Sequence, residues 1–320
     1  MNSNISTPTS RASSPSPLTS NKHNNRIGDR KTLEEEYSNN NILVSKLFIQ
    51  PLKYIFTELI KHSKRQPKHV SFIMDGNRRF AKNKKIQVKQ SHSLGFLTMC
   101  KILNLLYDCD VKTVTVFAFS IENFSRSEKE VLDLMQLAKK RLVQLITNTD
   151  MCSKYGVRVK IVGDISLLDQ ELIEMCEFIE KETEQNSNCL LNICFPYTGR
   201  WELLNSMKQT ISDFKNGKID DISCDTINEY VYNHGAPCKG DIDWAKTGPL
   251  DLLVRTSGVK RLSDYQLWQV SSGSVVDLEE NSNNNGNTIK YEFLKILWPE
   301  VTIWRVIWIL LKFCFDQNKK

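Results

Sequence analysis

The feature that most constrains this chain is a repeated alternation. Short apolar runs recur at 70–74, 111–119, 157–162, 190–195 and 251–254, and each ends in a polar or glycine-containing turn. Most are rich in β-branched or aromatic residues, as buried strands are. Between them, apolar residues return at helical spacing, over about 93–107, 127–147, 169–183 and up to 214, with a further helix led in by residues 261–263. Such an order predicts an α/β fold: right-handed crossovers and a mostly parallel central sheet flanked by helices, in a single domain. Ligands of such sheets bind beyond the carboxyl ends of the strands, so the turns that follow the apolar runs are where function is to be sought.

Those turns gather polar and basic residues from distant parts of the chain: Asp75 with Arg78 and Arg79, residues 120–126, Gly163-Asp164, residues 197–200, and residues 255–263. The first is the most informative. In HVSFIMDGNRRFAK (69–82) a buried strand meets a glycine turn and a helix start. Amides and dipole at a helix N-terminus favour an anion, and two arginines add forks suited to phosphate oxygens. A carboxylate repels phosphate, so Asp75 makes sense with a hard cation such as Mg2+ between them; the plainer alternative is a helix-capping Asp75 beside solvated arginines. The stretch is neither a Walker loop nor a GxGxxG turn. Ser127 with Glu130, and Ser263 with Gln266, have the spacing of capping boxes, and residues 82–90 look like a basic mobile connection.

Composition narrows the classes. The 320 residues carry a net charge of +6, which suits an anionic substrate or a membrane surface and is too small to argue for nucleic acid; no RNA- or DNA-binding motif is present. Nine cysteines lack metal-finger spacing, and Cys100, Cys109, Cys176 and Cys194 sit among apolar residues as small core side chains. Their odd number, without a secretory signal, indicates a reducing compartment, the cytosol or its membrane faces. Residues 1–40 are Ser-, Asn- and Pro-rich and are expected to be a disordered tail. Residues 41–66 begin with an amphipathic segment, NILVSKLFIQPLKYIFTELI, which Pro51 interrupts. It suits a bilayer interface or a helix packed on the domain. The apolar segment 301–315 carries Arg305 and Lys312 and reads as a largely buried helix.

Six blocks, in order, resemble the cis-prenyltransferases, the family of undecaprenyl and dehydrodolichyl diphosphate synthases: HVSFIMDGNRRFAK, VFAFSIENFSRS, RVKIVGDISLL, LNICFPYTGR, DLLVRTSGVKRLSDYQLWQ and LWPE. The likeness spans 69–315, is greatest to the eukaryotic catalytic subunit type, and implies a catalytic domain over 67–316. It implies a transferase that elongates farnesyl diphosphate with successive isopentenyl diphosphate units in cis, toward dehydrodolichyl diphosphate for dolichol synthesis and protein glycosylation. On the matching positions, Asp75 holds Mg2+, while Gly76, Asn77, Arg78 and Arg79 cradle the allylic diphosphate near His92. Arg126, Arg255, Arg261 and Ser263 hold the diphosphate of isopentenyl diphosphate. Ser120 and Asn123 lie near the condensing carbons, with Phe124 as the neighbouring aromatic. The long apolar product needs a tunnel, for which the helix at 93–107 and the strand at 111–119 are candidate walls.

The chain departs from bacterial members of that family. No glutamate stands near Ser274, where many carry a second magnesium ligand, and Val88 replaces an arginine. Homodimeric members end in Arg-x-Gly, whereas this chain ends LLKFCFDQNKK. The resemblance therefore implies a Nogo-B-receptor-type accessory subunit that supplies that motif. It further implies a peripheral location on the cytosolic face of the endoplasmic reticulum membrane, or on lipid droplets. Insertions are expected at 239–247 and 279–288. Two other readings are a non-catalytic scaffold subunit of such a complex, which would have lost the DGNRR block, Arg255 and Arg261, and a nucleotide binder, for which no base-reading motif appears.

Overall fold

A computed structural model describes residues 50–147, 151–232, 249–275 and 289–316. The expected tail, the start of the amphipathic segment and both insertions lie outside the described residues. Six strands form one sheet: β1 (His69–Ile73), β2 (Thr113–Phe117), β3 (Val157–Val162), β4 (Cys189–Cys194), β5 (Leu252–Arg255) and β6 (Lys290–Phe293). Their order is β3-β4-β2-β1-β5-β6, and every ladder is parallel. The expected α/β architecture is thus present. The helices are α1 (Gln50–Ser63), α2 (Asn77–Lys84), α3 (Val88–Asp108), α4 (Glu128–Thr147), α5 (Met151–Tyr155), α6 (Gln170–Glu182), α7 (Gly199–Lys215), α8 (Cys224–Tyr232), α9 (Leu267–Val275) and α10 (Ile303–Asp316).

The central strands are buried along their whole length, as strands covered on both faces must be. Registers of His69 with Thr113 and Val70 with Leu252 bring the ends of β1, β2 and β5 to one level. The main core packs Val70, Phe72, Val114, Val116 and Leu191 against Leu103, Leu106 and α10. β6 has few β-branched residues and forms a charged edge, a common defence against edge pairing. That composition, and the shortness of α5 and α8, kept these three elements out of the sequence pattern.

Three local expectations are corrected. Residues 82–90 are not a mobile connection: α2 runs to Lys84 and α3 starts at Val88, leaving three residues between them. Lys85 closes α2 in the left-handed region, and Gln90 Oε1 accepts from the Gln87 amide at 3.2 Å. The lysines that suggested a loop are solvated faces of two helices. Ser263 does not cap α9, which begins at Leu267; its φ of 54° places it in a tight turn instead. Ser127 Oγ does accept from the Glu130 amide, at 3.4 Å, but the Glu130 carboxylate turns to arginines rather than completing the box.

Pro51 sits in the first turn of α1, where its missing N–H costs nothing. The helix packs on the domain through Phe56 and Ile60, with the Phe56 ring edge-on to Trp304 and Lys53 Nζ donating to Asp108 at 2.7 Å. Its other flank leaves Ile55 58% and Leu59 53% exposed, and on neighbouring α10 Trp308 is 64% exposed. No helix among the described residues is long and apolar enough to cross a membrane. Cys109, Cys176 and Cys194 are buried, and burial pushes their thiols up, to about 12 for the first two. Cys100 is half-buried and raised to about 11.

The turn after β3 depends on Gly163, at φ 154°, where an added Cβ would run into the Pro196 carbonyl. Gly163→Ala is expected to destabilise the protein by about 2 kcal/mol or more, read as a lowered Tm.

Candidate active site

The site begins where β1 stops. Asp75 donates its amide to Ile73 O at 2.9 Å, and its carbonyl accepts from Thr256 Oγ1 at 2.5 Å and from the Trp298 amide at 3.1 Å. Gly76 follows at φ 117°, and a side chain there would press on Leu297. With both neighbours pinned, the Asp75 carboxylate is aimed across the sheet at β5. Its Oδ2 accepts from Arg255 Nη2 at 3.0 Å and from Ser257 Oγ at 2.7 Å, and Arg79 Nη2 stands 3.5 Å away. Burial alone would raise the Asp75 pKa, but the hydrogen bonds from Ser257 and Arg255 and the charges of Arg255 and Arg79 hold it below the usual carboxylate value.

Arg255 is 3% exposed, so its charge must be met locally. Besides Asp75, it donates from Nη1 to Ser263 Oγ at 2.9 Å and to the Arg261 carbonyl. Its Nε is buried without a partner among the described residues. The Arg261 and Ser263 turn is thereby drawn to the end of β5.

A second group comes from the turn after β2. Ser120 Oγ accepts from the Glu122 amide at 3.2 Å and caps the single 3-10 turn Ile121–Ser125. Asn123 Oδ1 accepts from Arg126 Nη2 at 2.9 Å, and Glu130 Oε1 accepts from Arg126 Nη1 at 2.9 Å. Arg78 Nε lies 3.6 Å from the same Glu130 oxygen, so one carboxylate gathers arginines from two elements. His92 lies close by on α3. Burial, and then the charge of Arg126, depress its pKa to about 4, so the ring is neutral. Its Nε2 is buried and unpartnered among the described residues, as is Asn77 Oδ1.

These groups share one cavity of about 1040 Å³. Asp75, Gly76, Asn77, Arg78, Arg79, His92, Ser120, Asn123, Arg126, Arg255, Arg261 and Ser263 all line its wall. Phe124 is the exception; its ring backs the wall edge-on to Phe119 at 5.0 Å. Beyond the polar head the lining turns apolar, with Phe96 and Met99 from α3, Val116 and Phe119 from the β2 side, and Leu137, Leu142 and Leu145 from α4. The two expected walls are therefore in place, and α4 adds a third that the sequence pattern did not single out. Arg141 interrupts that wall with its guanidinium 5.0 Å from the Phe96 ring centre, a cation–π distance.

Gly163-Asp164 and residues 197–200 do not line the cavity. Ser257 and Glu130 were missed from sequence. Ser257 directly follows the Arg255-Thr256 pair at a strand end, a signal that could have marked it, whereas Glu130 was hidden by its capping spacing.

A hard cation fits at one point. Among the described residues, the hydrogen bonds and ion pairs of the Asp75 carboxylate all fall on Oδ2, which leaves Oδ1 open. No cluster of three or more His, Cys, Asp or Glu side chains occurs among them. A single ionised carboxylate with an open oxygen suits Mg2+ that takes the rest of its shell from phosphate and water; it does not suit a metal held by protein ligands alone.

His92 gives a direct check on this environment. The unfolded chain would titrate it near its ordinary 6.5 and the folded protein near 4. Between these values the unfolded state binds the extra proton, so this group costs stability as pH falls through the window and none above it. A ring-carbon NMR titration is expected to show the His92 midpoint near 4; a midpoint near 6.5 contradicts the buried, arginine-flanked placement.

Comparisons with known proteins show the family and the fold. A family profile described as putative undecaprenyl diphosphate synthase matches residues 73–320. A subunit of the dehydrodolichyl diphosphate synthase complex of Schizosaccharomyces pombe is 34% identical over 83% of this chain and 91% of its own length. The corresponding human subunit is 35% identical over 79% of this chain and 68% of its own. The crystal structure of lavandulyl diphosphate synthase from Lavandula x intermedia, with dimethylallyl diphosphate, has the same fold, with a TM-score of 0.62 at 23% identity over 78% of this chain and 96% of that one. With a matching profile over most of its length and a fold to go with it, the chain belongs to the prenyltransferase family of putative undecaprenyl diphosphate synthases.

Proposed function

We propose that this chain is the catalytic subunit of a cis-prenyltransferase complex that elongates farnesyl diphosphate with isopentenyl diphosphate to long-chain dehydrodolichyl diphosphate, for dolichol synthesis and protein glycosylation. The observation that carries the proposal is one cavity that joins a cationic head, with the ionised Asp75 carboxylate in it, to an apolar tail. Two diphosphates and a growing hydrocarbon need just those two environments. The scaffold reading is disfavoured because the head keeps Asp75 and its arginines in a connected network.

In each cycle one allylic C–O bond breaks, one C–C bond forms and one proton leaves the isopentenyl carbon chain. The cost of the first event is negative charge growing on the departing diphosphate. Gly76, Asn77, Arg78 and Arg79 cradle that group, and the neutral His92 ring donates to it. Preorganised donors of this kind lower the barrier because they need not reorient as charge develops. Mg2+, held by Asp75, supplies further charge neutralisation when bound. Arg126, Arg255, Arg261 and Ser263 hold the second diphosphate, which fixes the approach of its double bond to the allylic carbon. Ser120 and Asn123 stand at the level where those carbons would meet, and Phe124 stiffens that turn from behind.

Relatives named as complex subunits support a Nogo-B-receptor-type partner that completes the site. The catalytic domain is taken as 67–316, preceded by the tail 1–40 and the amphipathic segment 41–66. Peripheral attachment to a membrane surface is supported by the apolar flank of α1 beside basic residues, and relatives named as dehydrodolichyl diphosphate synthase subunits support the cytosolic face of the endoplasmic reticulum as that surface.

Radiolabelled isopentenyl diphosphate with farnesyl diphosphate and Mg2+ tests the activity. Butanol-soluble long-chain product is expected from the chain with its partner and is expected to fall by about 10³-fold or more in Asp75→Ala. Absence of product from a folded wild-type complex would return the scaffold reading. Replacing Ile55 and Leu59 together by Glu is expected to lower the fraction bound to anionic lipid vesicles while leaving Tm unchanged. An unchanged bound fraction removes α1 from the membrane role.

A further inference from the structure

The segment carrying Arg261 and Ser263 is conformationally expensive. Ser257, Gly258, Ser263, Asp264 and Gln266 all have φ between 46° and 78°. Four of these are not glycine, and each such residue persists only where its surroundings hold it there. At its start the segment hangs from the β6 side, with the Ser257 amide on Ile296 O at 2.7 Å and the Gly258 amide on Leu294 O at 2.7 Å. At its end Tyr265 Oη and Gln266 Oε1 meet Ser71 Oγ inside the core.

Between these anchors the turn is held by Arg255, through the Arg261 carbonyl and Ser263 Oγ, and by α7. The Gly199 amide donates to Asp264 O at 2.7 Å, and the Arg200 amide donates to Asp264 Oδ1 at 3.1 Å. The turn thus occupies the N-terminus of a helix, where a carboxylate is favoured. The Arg200 side chain then closes over it: Nε donates to Asp264 Oδ2 at 2.7 Å, and Nη2 reaches Glu122 at 3.2 Å. One guanidinium therefore touches both turns that carry site residues, one after β2 and the other after β5. Those strands are not neighbours; β1 lies between them.

The two contacts differ in weight. Arg200 and Glu122 are both well exposed, and such pairs contribute little. The Asp264 side chain is only 9% exposed and accepts two donors from one residue, which makes it the stronger contact.

We propose that Arg200, together with Asp264, is a positioning residue that holds the Arg261–Ser263 turn in its diphosphate-binding form and tethers it to the Ser120–Arg126 turn. It lies off the cavity wall and touches no substrate. The inference rests on the proposed function of the same site. Without the clasp the strained turn spends less time in the competent form, and apparent affinity falls by that fraction. The allylic side, held by the α2 turn, does not depend on it.

The test uses the full chain with its accessory subunit. In Arg200→Ala and Asp264→Asn the KM for isopentenyl diphosphate is expected to rise about tenfold, with KM for farnesyl diphosphate and Tm close to wild type. Arg200→Lys, which serves one acceptor at a time, is expected to fall between, and Glu122→Gln to change KM by about twofold or less. The double variant of Arg200 and Asp264 is expected to be no worse than either alone, because both remove one contact. Equal losses for both substrates with a lowered Tm, or a KM unchanged in Arg200→Ala, would overturn the proposal. Calorimetric titration of isopentenyl diphosphate reads the same ratio without turnover. A wild-type complex that binds it but makes no product would overturn the proposed activity alone, and the variant-to-wild-type binding ratio would still decide the role of Arg200.

Discussion

Arg255 is buried at the end of β5, and its charge is balanced there by Asp75 from the end of β1. Losing Asp75 would strand the buried Arg255 charge out of water, a cost of about 3 kcal/mol or more. Much of the polar end of the domain is arranged around that pair. Asp75 is steadied by Ser257, Thr256 and the Trp298 amide, and Arg255 in turn holds the Arg261 and Ser263 turn. Because β1 and β5 are adjacent and in register, the pair needs no long reach, and the cavity head is built at the ends of two buried, paired strands.

The same placement explains how one cavity serves opposite chemistries. Guanidinium groups and an ionised carboxylate sit at the strand ends, where turns expose backbone and side chains together. The apolar tail runs between α3, α4 and the sheet, where Leu, Met and Phe side chains exclude water. A diphosphate cannot enter the tail without losing its hydration, and a prenyl chain gains by leaving water, so the substrate is oriented before any residue reacts. His92 lines the cavity, and Glu130 is paired with two of its arginines. Glu130 balances Arg78 and Arg126 there, and those positive charges help keep His92 neutral.

Parts of the site were legible because they obey local rules. DGNRR follows a strand and opens a helix, so its backbone amides and arginines could be assigned to an anion from residue order alone. Six ordered blocks then carried the family likeness, which the profile match and the curated relatives bear out. What local rules misassigned had a competing partner in the folded site. Ser263 has capping spacing, yet Arg255 and the strained turn claim it; Glu130 has it too, yet two arginines claim its carboxylate. Arg200 stands at a helix start, and its contacts to Asp264 and Glu122 bridge segments more than sixty residues apart.

The sequence by itself determined the alternation of strands and helices, the side of the sheet that carries the chemistry, and the residue types gathered there. These follow from periodicity, turn chemistry and charge, which act over a few residues. Tertiary structure alone decided which carboxylate meets which guanidinium, that α4 walls the tail, and that α7 grips the turn after β5 instead of facing the cavity. Those outcomes depend on strand order and register: β1 lies between β2 and β5, and that order sets which turns can touch. No residue's neighbours along the chain encode it.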